Sequence, residues 1–199
     1  MRWISLLLPM AIAGLPLPLP AHAADADTIG GPFHLVDGEG RAVTDRSFHG
    51  QPVLLYFGFT SCPDVCPTDL ARIERIARRV QQAGAPAPVP VFVTVDPERD
   101  TPARMKAYVG AFGRDFVGLT GTPAQIASIA DHYDVYYKKV PYGHHGQYTM
   151  DHSTFLFLLD RNGRYVDHFG RGADEAAVAQ TIVEKLKEQH PAPTSTGRR

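Results

Sequence analysis

Hydrophobic positions change their spacing several times along this 199-residue chain, and each change marks an element. Val53-Leu54-Leu55-Tyr56-Phe57 and Val91-Phe92-Val93-Thr94-Val95 are short, almost continuously apolar runs rich in branched and aromatic side chains, the pattern of strands covered on both faces. Between them Leu70, Ile73, Ile76, Ala77 and Val80 recur at helical spacing opposite Arg72, Arg75, Arg78 and Arg79, and Pro67 is placed to be the first helical residue. Gly84 to Pro90 breaks that helix, so the unit reads βαβ. Upstream, Phe33 to Phe48 reads as two extended pieces around the turn Asp37-Gly38-Glu39-Gly40, a leading β-hairpin. Downstream, Thr101-Pro102 and Thr122-Pro123 each combine an N-cap with a first-turn proline, Gln125 adds a capping-box partner, and Phe116 to Leu119 lies between as a short strand. Tyr133 to Met150 is rich in Tyr, Gly and His without a clear period and predicts a long excursion. Thr154 to Leu159 and Arg164 to Phe169 read as strands joined through Asn162-Gly163, a strong hairpin signal. A closing helix runs from about Asp174 to Glu188 on Val178, Ile182, Val183 and Leu186, and Pro191 to Arg199 is a polar tail.

A βαβ half followed by an antiparallel strand pair and a helix is an α/β, thioredoxin-like layout, here with a leading β-hairpin and an inserted helix. It places Cys62 and Cys66 between the C-terminal end of a strand and the N-terminus of a helix, where unpaired amides and the helix dipole favour thiolate over thiol.

The N-terminus changes where this chemistry takes place. Arg2 precedes an apolar run from Trp3 to Leu19, and Ala21-His22-Ala23 has the small-x-small form of a signal-peptidase site, so residues 1–23 read as an export signal cut after Ala23. The alternative, an uncleaved membrane anchor, is opposed by a run of only seventeen residues interrupted by Pro9, Pro16 and Pro18. Residues 24–190 suit one domain with a core of its own, outside the cytoplasm and, in a bacterium, in the periplasm. Without Arg2 the chain carries 19 basic against 21 acidic residues and no basic block, which argues against a nucleic-acid partner. Two cysteines so close together in a chain of this size make a poor stabilising framework, since a disulfide closing so short a loop removes little chain entropy. The pair is better explained by redox or metal chemistry.

The spacing bears on which. Phe59-Thr60-Ser61-Cys62-Pro63-Asp64-Val65-Cys66-Pro67 puts three residues between the cysteines, where thiol-disulfide oxidoreductases of this layout usually carry two. Two thiolates leave a soft metal ion under-coordinated, and an imidazole is a common third ligand. Of the nine histidines, His22 leaves with the signal, His190 lies in the tail, and His34, His49, His132 and His168 sit singly in ordinary hairpin or helix contexts. His144 and His145 are adjacent in a Gly-rich loop and are candidate auxiliary ligands. His152 sits where thioredoxin folds usually set a cis-proline against their cysteines, in an Asp151-His152-Ser153 junction without proline. Asp151 is a candidate to hold that loop or the metal-free imidazole, and a simple turn-capping role is the competing one. Asp64 reads as a solvated loop carboxylate that could tune the thiolates, and Asp96-Pro97-Glu98-Arg99-Asp100 as a strand end leading into a helix.

Three motifs in order, Cys62-Pro63-Asp64-Val65-Cys66-Pro67, Val95-Asp96-Pro97-Glu98-Arg99-Asp100-Thr101-Pro102 and Tyr148-Thr149-Met150-Asp151-His152-Ser153, make the chain resemble the Sco (SenC) copper-binding assembly factors of cytochrome c oxidase over roughly Gly30 to Leu186. The resemblance implies one copper ion per chain, with Cys62, Cys66 and His152 as its ligands. It further implies the oxidase subunit that carries the copper centre as recipient and a periplasmic copper donor or thiol reductant as partner. Many members keep a membrane helix where this chain offers a cleavage site. Three other readings stand beside it. The pair Cys62 and Cys66 would also serve a metal-free thiol-disulfide oxidoreductase, which leaves His152 without a role. A peroxidase would set its cysteine beside a threonine and an arginine, a pattern not found along the sequence. A passive copper-binding module needs no oxidase partner.

Overall fold

The computed structural model describes residues 29–143 and 146–188. The expected signal, the pair His144 and His145, His190 and the tail lie outside the described residues. Fourteen elements follow one another: β1 (His34–Val36), β2 (Ala42–Thr44), a 3-10 turn (Asp45–Phe48), β3 (Val53–Gly58), α1 (Val65–Gln82), β4 (Val89–Thr94), α2 (Pro102–Gly110), β5 (Val117–Leu119), α3 (Pro123–His132), β6 (Tyr137–Pro141), β7 (Tyr148–His152), β8 (Leu156–Leu159), β9 (Tyr165–Phe169) and α4 (Glu175–Glu188). Five strands form the central sheet in the order β5-β4-β3-β8-β9. The pairs β3/β4 and β4/β5 are parallel, whereas β3/β8 and β8/β9 are antiparallel. This is the thioredoxin-like arrangement, with β1/β2 as the leading hairpin and α2 and α3 set into the chain between β4 and β8.

Period-two alternation along β3 and β4 sorts the core into two layers. Leu55, Phe57, Val91 and Val93 face Leu35, Val43, Ile126, Ile129 and Tyr133, under the leading hairpin and α3. Leu54, Tyr56 and Phe92 face Leu70, Ile73, Ile76, Met105, Ile182 and Leu186, under α1, α2 and α4. Each such side chain, once fully buried, contributes on the order of 1.5–3 kcal/mol, so two filled layers hold the central strands from both sides.

The sequence signals locate most ends. Thr101 and Thr122 accept from the amides of Arg104 and Gln125, and the Gln125 side chain returns a bond to the Thr122 amide, completing its capping box. Asp174 accepts from the amides of Ala176 and Ala177 at the start of α4. Gly163 takes φ 76° in the β8/β9 turn, a conformation that a residue with Cβ rarely adopts.

Four expectations are corrected. The second extended piece of the leading hairpin ends at Thr44, because Asp45 to Phe48 coil into a 3-10 turn capped by Thr44 and Ser47. The helix after the cysteines begins at Val65 rather than Pro67, which makes Pro67 its third residue; the first four amides of a helix have no partner within it, so the proline costs nothing there. Arg72 is buried rather than solvated, its Nη2 donating to the Ala173 carbonyl at 2.7 Å and tying α1 to the approach of α4. The described residues of the stretch after Tyr133 contain a strand pair rather than an irregular excursion: β6 pairs antiparallel with β7 from Tyr137 opposite His152 to Pro141 opposite Tyr148. Its strands escaped pattern reading because β6 is exposed along nearly its whole length and so shows no apolar alternation.

Gly58, the last residue of β3, has no room for a side chain: a Cβ there would stand 2.7 Å from Phe92 Cε2 and 2.9 Å from Cys66 Sγ. Gly58→Ala is therefore expected to lower stability by about 1–3 kcal/mol in urea unfolding and, unlike a core substitution elsewhere, to displace the buried sulfur.

Candidate metal centre

Strand β3 leaves the sheet at Gly58 and the chain then turns through Phe59, Thr60 and Ser61 into the first turn of α1. Three donors pin that turn to one carboxyl group. Asp100, fully buried, accepts from the Thr60 amide at 3.0 Å, the Thr60 hydroxyl at 2.5 Å and the Thr94 hydroxyl at 2.6 Å. From outside, Arg104 donates to the Thr60 hydroxyl at 2.6 Å and the Ser61 hydroxyl at 2.9 Å. The run 96–100 thus does more than end a strand.

Within the loop so held, Cys62 is half-buried and Cys66 fully buried, and both are free thiols. Although Cys66 is borne by α1, it packs with the layer on the opposite face of the sheet, reaching across the bare backbone of Gly58. The Cys66 amide points at Cys62 Sγ at 3.4 Å. The two sulfurs share one proton unequally. The Cys66 thiol donates to Cys62 and, with the backbone amides of Cys66, Asp64 and Val65, brings the Cys62 thiol down to about 5 against the opposing effect of burial. Giving that hydrogen bond while lying out of water pushes Cys66 strongly up. Of the two, Cys62 is the sulfur disposed to lose its proton and Cys66 the one disposed to keep it.

The histidine comes from the far hairpin. His152 ends β7, and its Nε2 lies 3.8 Å from Cys66 Sγ. Its Nδ1 is 2.8 Å from the Ser153 carbonyl oxygen, so Nδ1 carries the proton and Nε2 presents a lone pair towards the sulfur. The ring stands edge-on to Phe59 at 5.8 Å. Asp151 points the other way: it is exposed, opposite Lys138 in the strand register, and the backbone carbonyl of Ser153 does the orienting considered for it. Asp64 is exposed too, and it acts through its backbone amide, one of the groups lowering Cys62, rather than its carboxylate.

Among the described residues no three His, Cys, Asp or Glu side chains form a closed cage of metal-site geometry. The donors meet pairwise, thiolate to thiol and thiol to imidazole. That set, two sulfurs and one neutral imidazole, suits a soft ion of low coordination number and gives a hard oxygen-seeking ion nothing.

Two further groups approach the sulfurs from below. Asp69, one helical turn beyond Cys66, accepts from the Tyr56 hydroxyl at 2.8 Å and from Arg171 Nε at 3.2 Å. Burial, with the nearby sulfurs and Asp69, pushes the Tyr56 phenol strongly up, so it stays a hydrogen-bond donor. A carboxylate on the apolar stripe Cys66, Leu70, Ile73 was the sequence signal for this group. The contact of Arg104 with Thr60 had no local signal, and it brings together beside Cys62 a threonine and an arginine that lie far apart in the chain.

Comparison with known proteins places the chain in a family. The SCO1/SenC family model matches residues 21–187. The chain is 44% identical over 146 residues to an SCO2-like protein of Rickettsia prowazekii, spanning 73% of this chain and 71% of that protein. It is 40% identical over 153 residues to the mitochondrial SCO2 homolog of Homo sapiens, spanning 76% of this chain but only 58% of the human protein. Among solved structures, ScoI of Arabidopsis thaliana with copper bound superimposes with a TM-score of 0.77 at 36% identity, over 80% of this chain and 99% of that one. ScoI of Bradyrhizobium japonicum with copper bound gives 0.70 at 46% identity, over 79% and 99%. With a helix-end dithiol, a histidine delivered by a separate hairpin and a family match along nearly its whole length, the chain belongs to the SCO1/SenC family.

Proposed function

We propose that this chain binds one copper ion through Cys62, Cys66 and His152 and delivers it, outside the cytoplasm, to the copper-carrying subunit of a cytochrome oxidase. The observation that carries the reading is the approach of His152 Nε2 to within 3.8 Å of Cys66 Sγ, which a metal-free dithiol does not require. The copper-bound state of the similar ScoI structures supports it. Cys62 offers a thiolate at neutral pH, Cys66 releases its proton on binding, and His152 offers Nε2 because Nδ1 is committed to Ser153. Copper supplies a soft centre that thiolates of an acceptor site can take over. The export reading of residues 1–23 places the protein in the periplasm, released by cleavage or kept at the membrane by an uncleaved segment. Among the described residues no helix is long and apolar enough to cross a membrane.

A second reading, reduction of a partner's disulfide through Cys62, is favoured by one observation: Cys62 is the half-exposed sulfur and has the Cys66 amide directed at it, which holds its thiol low, while Cys66 lies buried behind it. In that role Cys62 attacks a partner disulfide and forms a mixed disulfide, releasing one partner thiolate. Cys66, losing its proton, then displaces the second partner sulfur and closes the Cys62–Cys66 disulfide. The partner gains two electrons and this chain loses two.

Three measurements test these readings. Cys62→Ala and Cys66→Ala should each abolish tight copper(I) binding, whereas His152→Ala should weaken it and leave disulfide formation intact. Wild-type copper binding by His152→Ala, together with loss of binding in a His144/His145 double substitution, would overturn the ligand assignment. Alkylation of Cys62 should be half-maximal near pH 5 and flat above it, since a lowered pKa keeps the thiolate populated until the pH falls through it. In Cys66→Ala the midpoint should move up, because the principal hydrogen bond to the sulfur is lost. Finally, a sulfur in a disulfide cannot ligate copper, so saturating copper(I) should raise the reduction potential of the pair. A potential indifferent to copper would leave thiol-disulfide exchange as the better account.

A further inference from the structure

Hairpin β6/β7 is a sheet of two strands with no backbone pairing to the central five. Such a ribbon is marginal by itself, so the place it gives His152 depends on what its side chains grip. Met150 roots β7 in the core layer, and the polar grip beside it is at Tyr148, the first residue of β7, four residues before His152 and therefore on the same face of the strand. Its hydroxyl donates to Asp96 Oδ1 at 2.9 Å, and its carbonyl oxygen accepts from Arg99 Nη1 at 2.9 Å. Its ring lies 3.9 Å from the Arg99 guanidinium and 4.8 Å from the Lys139 ammonium. Arg99 is itself paired with Asp96, which is fully buried, and Lys139 is paired with Glu98 at 2.6 Å.

Of these partners Asp96, Glu98 and Arg99 belong to the turn 96–99, while Lys139 comes from β6, and the next residue after that turn is Asp100, which pins Thr60 two residues before Cys62. One short turn thus holds the sulfur-bearing loop at one end and the imidazole-bearing hairpin at the other. The circuit closes on the far side, where Phe59 lies 5.9 Å from the Arg99 guanidinium and meets the His152 ring edge-on. We propose that Tyr148, gripped by Asp96 and Arg99, is a positioning residue that sets where the His152 imidazole stands relative to the two sulfurs. This assignment rests on the copper reading above for its use, but not for its geometry. An ordinary packing anchor would behave differently. The bonds made by Tyr148 are polar and lie at a half-buried surface, so removing its hydroxyl alone releases it from Asp96 without opening either core layer.

The test uses the full chain, histidine-labelled with nitrogen-15, in the wild-type, Tyr148→Phe and Asp96→Asn forms. Tyr148→Phe keeps the ring and loses only the bond to Asp96. Asp96→Asn keeps an acceptor for the hydroxyl and weakens the hold on Arg99. In the copper-free proteins both substitutions should broaden or shift the His152 ring resonances while cooperative thermal unfolding is retained. In the copper(I)-loaded proteins, loss of metal to a chelator should be about tenfold faster, the size expected for one charge-assisted hydrogen bond. In the copper(II) form, the nitrogen coupling in the electron paramagnetic resonance spectrum should change. Wild-type ring signals and wild-type copper loss in both variants would overturn the proposal, as would lowered stability with an unmoved imidazole. If Tyr148→Phe does not fold, the same readings on Asp96→Asn decide. If wild-type protein takes up no copper, the functional reading fails, while the copper-free ring signals still decide the positioning.

Discussion

One buried carboxyl group organises the site. Asp100 lies out of water, where a polar group without partners costs several kcal/mol, on the order of 2–7 by transfer, and its oxygens are met by donors from two places: the loop leaving β3 and the end of β4. Removing it would strand the buried amide and hydroxyl of Thr60 and the hydroxyl of Thr94 together, at roughly 1–3 kcal/mol for each. The loop that presents Cys62 is therefore fixed by a requirement for hydrogen bonding rather than by a covalent tie. The sulfurs stay free to change partners while their backbone stays still.

Around that fixed point the electrostatics divide the labour between two chemically identical side chains. Cys62 stands where backbone amides and the start of α1 converge, and Cys66 is buried one turn along, against Phe59 and over Gly58. The asymmetry follows from depth. The sulfur closer to solvent keeps the negative charge, and the deeper one supplies the proton that stabilises it. Such a pair is equipped both to hold a soft cation and to exchange a disulfide, and the two acts would draw on the same atoms.

The imidazole is attached on a different principle. Its strand belongs to a hairpin outside the central sheet, rooted in the core layer by Met150 and held at its half-exposed side by aromatic, cationic and carboxylate groups. The polar contacts at that side are individually modest.

Much of this was legible along the chain because the forces concerned are local. Continuous apolar runs at 53–57 and 91–95, helical spacing from Leu70 to Val80, threonine caps before Pro102 and Pro123, and the Asn-Gly turn each act within a few residues, and the central sheet and its helices follow from them. The cysteine pair at a strand-to-helix junction was legible for the same reason, and three spaced motifs pointed to His152. What only the tertiary structure decided involves partners far apart in sequence: Asp100 with Thr60 across 40 residues, Arg99 with Tyr148 across 49, Cys66 with His152 across 86. It also decided that Arg72 is buried, that Asp151 turns away while the Ser153 carbonyl orients the ring, and that an exposed ribbon without apolar alternation is a strand pair at all. Local pattern reports which face of an element meets the core. Which side chain across that face meets another depends on how the elements pack, and that is settled by burial and hydrogen bonding summed over the whole domain.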